Sequence, residues 1–299
     1  MIDRATSLST VWAPAKVNLY LHVGKPLPDG RHPLDSLVMF ADGNAADRVS
    51  VRPYQTVVLK VDGPAAKALK GEKNNLVLRA AKLLMDAAGR SDLGAALNLH
   101  KELPVAAGIG GGSADAAATL QALNHYWDIG FGDQAILNLG AELGADVPAC
   151  LQSEPVLMRG IGEQLTPFKM QPLPIVLVNP NVPLSTADVF KKFDAMGLGS
   201  DFKEREGPDS SGGPEVLARS LERYSNDLEV PAKILCPAVK DVLDTIEKTE
   251  GALMARMSGS GPTCFGVFET MEAAQAAAYI ISKRKKKWWV KASLLSGSR

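Results

Sequence analysis

Four glycines fall within five residues at positions 108–112, and an alanine-rich helical stretch follows them at once (PVAAGIGGGSADAAA, residues 104–118). Glycine permits positive φ and lets a ligand approach the backbone closely. A helix beginning near Ser113 turns its unpaired N–H groups and the positive end of its dipole back toward the loop, which makes a phosphate site. Ser113 adds a hydroxyl that can donate to phosphate or reach a metal ion. The plain alternative is a flexible loop capped by Ser113; the glycine density and the direct fusion to a helix weigh against it. The loop is not a Walker A motif, because no Lys-Ser or Lys-Thr follows the glycines. It is not a dinucleotide fingerprint either: the spacing differs, and no acidic residue ends a second parallel strand.

The remaining pattern is α+β with antiparallel character. Residues 15–23 alternate, with Val17, Leu19, Leu21 and Val23 on one strand face and Lys16, Asn18, Tyr20 and His22 on a polar one. A turn at Pro28-Asp29-Gly30 and a β-rich region at 47–61 follow. Residues 75–88 predict a helix capped by Asn75 and stopped by Gly89, with Leu76, Ala80, Leu83 and Ala87 on its inner side. A strand at 95–101, helices at 114–127 and 133–143, a strand at 172–182 and helices at 215–223 and 238–248 come next. The chain closes on strand, turn, strand, helix and strand at 253–257, 258–261, 264–268, 271–283 and 288–295. Residues 197–214 turn to glycine, serine and charge, which predicts a mobile surface loop.

The 299 residues suit two modest domains or one large one. Lys plus Arg and Asp plus Glu each number 33, so no global charge favours nucleic acid or an anionic membrane. Cys150, Cys236 and Cys264 are odd in number and far apart, which predicts buried, reduced thiols in a cytoplasmic protein and no zinc site. The first twelve residues lack the apolar stretch of a signal peptide, and no stretch reaches the length of a membrane span. The run Lys283-Arg-Lys-Lys-Lys287 before Trp288-Trp289 reads as the polar end of a helix leading into a final strand.

Three motifs in order resemble those of the GHMP kinases, named for galactokinase, homoserine kinase, mevalonate kinase and phosphomevalonate kinase. They are Pro14-Ala15-Lys16-Val17-Asn18-Leu19, the glycine loop, and Ser258-Gly259-Ser260-Gly261-Pro262-Thr263. The resemblance implies a two-domain α+β GHMP kinase fold, with a ribosomal-S5-domain-2-like N-terminal unit over 1–170 and a ferredoxin-like α+β unit over 171–299. It implies ATP as co-substrate, with Mg2+ whose ligands the sequence does not name. The runs GGGSADAA (110–117), LGADVP (143–148) and DGRH (29–32) narrow it to the branch that phosphorylates an alcohol carried on a cytidyl diphosphate, in non-mevalonate isoprenoid synthesis. The expected partner is that small molecule, for a monomer or weak dimer bound to neither nucleic acid nor membrane. Another GHMP specificity, for homoserine or mevalonate, and a non-catalytic binding module on the same fold are the competing readings.

On this resemblance Lys16 and Asp146 are catalytic. A hindered tertiary alcohol needs a positioned base, the role of Asp146, while Lys16 holds the base ionised and offsets charge on the transferred group. From the residue alone Asp146 also reads as a cap for a helix starting at Val147-Pro148. Pro104, Val105, Ala106, Ala107, Gly108, Ile109, Gly110, Gly111, Gly112, Ser113 and Ala114 form the ATP loop. Lys101 and Asn75 either line the adenine side or serve as an ordinary strand lysine and a helix cap. Asn18, Arg31, His32 and Phe190 fall to the cytidyl substrate. His32 would meet the base edge, Arg31 stands where the family often has a stacking tyrosine, and Phe190 either stacks on the base or packs in the core.

Overall fold

A computed structural model describes residues 9–72, 74–201 and 203–296. Strands and helices are numbered along the chain. The described residues form two units interleaved in sequence, where the sequence reading places one cut near residue 170. One unit takes the described residues of 9–15, 46–105 and 110–152, and the other those of 16–45, 106–109 and 153–296.

In the first unit a sheet runs in the order β1 (Ser9–Pro14), β4 (Ala46–Arg52), β6 (Ala95–His100), β5 (Val57–Asp62). The pairs are antiparallel except β5 with β6, which run parallel and are bridged by the helix between them. That helix is α1 (Leu76–Ala88); α2 (Gly111–Tyr126), α3 (Asp133–Leu143) and the short α4 (Val147–Gln152) complete the unit. Alternation works as expected on β6, where Ala95, Leu97 and Leu99 are buried, and on β4, where Asp47 shares the buried face with Val49 and Val51. Asn75 caps α1 by accepting from the Val77 N–H, and Gly89 ends it with φ 63°. The inner face of α1 is Val77, Ala80, Ala81 and Leu84, not the expected Leu76–Ala87 line. Both lines satisfy a helical period, and docking against α2 selects the one centred on the alanines. α2 is buried almost all round from Ala114 to Leu120; its small side chains let α1, α3, α4, β1 and β4 all pack on it.

In the second unit an eight-stranded sheet has the order β10 (Ala252–Met257), β11 (Cys264–Phe268), β9 (Leu173–Asn179), β12 (Trp289–Ser296), β3 (Leu34–Ala41), β7 (Val156–Arg159), β8 (Gln164–Pro167), with β2 (Lys16–Val23) also paired to β3. Every pair is antiparallel. Helices α5 (Thr186–Ala195), α6 (Pro214–Leu221), α7 (Glu229–Leu235), α8 (Ala238–Glu247) and α9 (Met271–Arg284) accompany it. The core joins Val176 and Val178 of β9 to Phe193, Val242, Ile246, Phe268 and Ile281.

One expectation changes here, and one strand hides its polar face. β2 is buried on both faces, with a register shift between Asn18 and Tyr20, so its polar residues lie inside the protein. Residues 203–213 have no helix or strand but are anchored: the Arg205 N–H donates to Asp35 (2.9 Å), Asp209 N–H to Ser220 Oγ (2.7 Å), Ser210 Oγ to the Lys169 carbonyl (2.9 Å), and Tyr224 Oη to the Glu206 carbonyl. This is a tethered surface segment, because its polar residues find fixed partners. The basic run ends α9, with Lys283 over Tyr279 and Lys285 over Trp288. The three cysteines are buried and unbonded to one another. Among the described residues no helix is long and apolar enough to cross a membrane.

Candidate functional site

Parts of the three sequence motifs, residues 16–19, 106–109 and 258–263, meet in the second unit. The Lys16 N–H donates to the Ile109 carbonyl at 2.9 Å, and the Thr263 N–H to the Ala107 carbonyl at 3.2 Å. Ser258 Oγ accepts from the Asn18 N–H at 3.1 Å and donates to the Gly108 carbonyl at 3.1 Å. Gly108 has φ 70°, and a Cβ there would stand 2.6 Å from both the Gly261 nitrogen and the Ser258 oxygen. Its glycine is therefore demanded by backbone packing between motifs.

The later glycines differ. Gly110 has φ 64° and precedes α2, which starts at Gly111, three residues earlier than expected. Gly111 and Gly112 lie in the helix's first turn and neither has a positive φ. A Cβ at Gly112 would meet only Leu76 Cδ1, at an ordinary 3.5 Å. Protein packing does not require glycine at this position, although each glycine costs a helix about 1 kcal/mol relative to alanine. The result is a helix N-terminus bare of side chains.

Beneath it, in the first unit, lies a buried charge cluster. Lys101 Nζ donates to Asp47 Oδ2 and to Asp115 Oδ2, both at 2.6 Å. Asp47 Oδ1 also accepts the N–H groups of Glu102 (2.6 Å) and Leu103 (2.8 Å). Asp115 Oδ1 is buried and, among the described residues, has no partner. Burial pushes the Asp115 carboxyl up to about 7 against the pull of Lys101, with Asp47 adding to the rise. For Lys101 burial acts downward, but the two carboxylates together raise it. A carboxyl raised in the folded state binds more protons folded than unfolded, so its favourable contribution is complete below the ordinary value near 3.8 and is lost as pH climbs to about 7. Asp115→Asn should therefore flatten the fall in stability between about pH 4 and about pH 7, read as urea midpoints across that window. An unchanged slope would show that Asp115 is not the titrating group.

Asn75, whose Oδ1 accepts from Val77 at 2.9 Å, is a helix cap, as one of its two readings held. Asp146 is half-buried at the start of α4, and its carbonyl accepts from the Cys150 N–H at 3.1 Å. Lys16 is buried on β2. Asn18 donates from Nδ2 to Ser36 Oγ at 2.8 Å, and its buried Oδ1 lacks a partner among the described residues.

The structure joins His32 to Phe190. Their ring centroids are 5.0 Å apart, Phe193 meets the same imidazole edge-on at 6.0 Å, and His32 Nε2 lies 2.8 Å from Asp194 Oδ1. Phe190 is half-buried at the margin of the core. Among the described residues no contact draws Arg31 into this group; its Nε donates to Asp29 at 2.8 Å across the turn, and Arg31 holds the exposed Asp29 carboxyl below its usual range. Asp47, Asp115 and Asp194 escape sequence reasoning. Asp47 and Asp115 look like ordinary polar positions, and Asp194 lies on α5, which was not expected as a helix. An aspartate inside the run Ala114-Asp115-Ala116 was the one available signal, since alanines on both sides imply close packing.

The chain matches the GHMP kinases N terminal domain over residues 75–154 and the GHMP kinases C terminal domain over residues 212–287. It is 47% identical to the 4-diphosphocytidyl-2-C-methyl-D-erythritol kinase of Hyphomonas neptunium over 96% of both chains. It is 45% identical to the enzyme of the same name from Rhodospirillum rubrum, over 95% of this chain and 92% of that one. A crystal structure of 4-(cytidine 5'-diphospho)-2C-methyl-D-erythritol kinase superposes with a TM-score of 0.78 at 34% identity, covering 97% of this chain and all of the other. Homoserine kinase from Cytophaga hutchinsonii, at 20% identity and a TM-score of 0.69 over 98% of this chain and 96% of its own, shares the fold. With this identity sustained over nearly its whole length, the chain belongs to the GHMP kinases, as an ATP-dependent kinase of the 4-diphosphocytidyl-2-C-methyl-D-erythritol kinase family.

Proposed function

We propose that the protein transfers the γ-phosphoryl group of ATP to the 2-hydroxyl of 4-diphosphocytidyl-2-C-methyl-D-erythritol, in non-mevalonate isoprenoid precursor synthesis. The observation that carries the ATP half of this reading is the first turn of α2, where Gly112 is glycine without a packing reason. Bare N–H groups at a helix N-terminus suit a phosphate, and Ser113 can donate a further hydroxyl there. The names of the relatives supply the acceptor.

In this reading the segment from Pro104 to Ala114 cradles the triphosphate, Asp146 takes the alcohol proton as the oxygen attacks the γ-phosphorus, and Lys16 offsets charge on the transferred group. Adenine contacts from Lys101 or Asn75 would have to come from side chains already engaged in the ion cluster and the helix cap. ATP chemistry implies Mg2+. Among the described residues no three His, Cys, Asp or Glu side chains are grouped to hold a metal ion. The described residues do not fit a protein-built metal cage.

Asn18, His32 and Phe190 would receive the cytidyl substrate, with Arg31 at the turn beside them in sequence. The enzyme would work in the cytoplasm as a monomer or weak dimer, without nucleic acid or membrane. Coupled detection of ADP tests the acceptor. Release should be fast with the cytidyl substrate and near background with homoserine or mevalonate. The reverse order would replace this acceptor with another.

A further inference from the structure

The pairing of His32 with Asp194 has a consequence for base recognition. Residues 27–31 form a tight turn, with the Gly30 N–H donating to the Leu27 carbonyl at 2.9 Å and the Leu27 N–H to the Arg31 carbonyl at 2.7 Å. The turn fixes the backbone leading into His32. The imidazole is buried, with 7% of its side chain exposed, and α5 supplies its surroundings. Phe190 and Asp194 are four residues apart and so share a helix face; Phe190 covers the ring and Asp194 takes Nε2 at 2.8 Å. Asp194 itself is 39% exposed, and a carboxylate can only accept a hydrogen bond. Nε2 must then carry hydrogen. Among the described residues Nδ1 has no hydrogen-bond partner, nor is it among the buried atoms that lack one. It is the ring nitrogen left for a ligand.

We propose that Asp194 is a positioning residue that sets base selectivity, by fixing the hydrogen on His32 Nε2 and so fixing the orientation and hydrogen-bonding sense of Nδ1 toward the base edge. The inference rests on the cytidyl reading above. Its logic is the opposed chemistry of the two pyrimidines. Cytosine offers a 4-amino donor beside an N3 acceptor, and uracil offers an O4 acceptor beside an N3–H donor. In any fixed register of the base, a ring nitrogen of one sense suits one base and opposes the other. Reversing that sense exchanges the favoured base. A ring free to flip or to change tautomer loses much of the distinction, because either nitrogen can then serve either base. The second nitrogen of a histidine is set by what the first one bonds, and in this site that partner is Asp194.

The experiment compares kcat/KM for the cytidyl substrate and its uridyl analogue in the parent, Asp194→Asn, Asp194→Ala, Asp194→Glu and His32→Ala. Asparagine can accept or donate toward Nε2, so it no longer dictates which nitrogen holds hydrogen. The cytidyl-to-uridyl ratio should fall about tenfold or more in Asp194→Asn and Asp194→Ala. KM for ATP should stay within about twofold of the parent, and Asp194→Glu should recover part of the ratio. A structural role alone would lower stability without moving the ratio. If His32→Ala lowers the ratio and Asp194→Asn and Asp194→Ala leave it unchanged, the assignment of Asp194 is wrong while the cytidyl reading stands. If the parent itself shows equal efficiency with both bases, the cytidyl reading fails, and this inference falls with it.

Discussion

Replacing Asp146 by asparagine is expected to lower turnover by about a hundredfold or more, with nucleotide affinity and melting temperature close to the parent's. The substitution is nearly isosteric and removes only the ability to take a proton. The structure makes the test sharper, because Asp146 also stands at the N-terminus of α4, where its carbonyl accepts from Cys150. A helix cap and a general base make different demands. Aspartate, asparagine and serine cap about equally well, whereas alanine costs about 1 kcal/mol. A cap alone would leave Asp146→Asn and Asp146→Ser active and make Asp146→Ala the damaging change. A base would make all three inactive and leave the first two stable. Steady-state ADP release, calorimetric titration with a non-hydrolysable ATP analogue, and a thermal melt on each variant separate the outcomes. Near-normal turnover in Asp146→Asn would end the assignment.

The elements easiest to read from sequence were those with a strong local signal. Asn75 and Gly89 bracket α1 by cap and left-handed stop, and the closing series from β10 to β12 follows clear alternation and a capped helix at Thr270. The elements that escaped were short or weakly patterned. β7 and β8 have four residues each, and α7 exposes Val230, Ile234 and Leu235, which blurs any amphipathic stripe. The alternation of Lys16, Asn18, Tyr20 and His22 marks a polar face on β2 but not where that face lies, and all four are buried. Partners far along the chain compensate them: Ser36 for Asn18, Asp35 for Tyr20 and Asp227 for His22. Tertiary partners of this kind leave no periodic trace. The same holds for the Lys101 cluster, whose members lie on β4, just after β6, and on α2. The order and spacing of the three motifs were legible. Which glycine serves the fold and which leaves room for a ligand was not, because that depends on what a Cβ would touch.

That division gives the second large expected effect. Gly108→Ala should be strongly destabilising, while Gly112→Ala should not be. At Gly108 an alanine must adopt φ near 70°, which costs an L-residue about 1–2 kcal/mol. Its Cβ would also sit 2.6 Å from two backbone atoms of the 258–261 turn, which cannot rotate away as a flexible side chain can. Backbone displacement of this sort typically adds about 1–3 kcal/mol. At about 2–4 °C per kcal/mol for a chain of this size, the melting temperature should fall by roughly 5–15 °C. At Gly112 the added methyl meets Leu76 Cδ1 at 3.5 Å, and alanine is the better helix former, so the melt should hold or rise slightly. If the first turn of α2 is where the triphosphate sits, that same methyl occupies the ground the phosphate needs, and affinity for a non-hydrolysable ATP analogue should fall about tenfold or more. The pair thus separates a glycine kept for packing from one kept for a ligand. Unchanged analogue affinity in a well-folded Gly112→Ala protein would remove the helix terminus from the phosphate site, and an undisturbed melt in Gly108→Ala would show that the junction of motifs at Ser258 and Gly261 yields more readily than its backbone contacts imply.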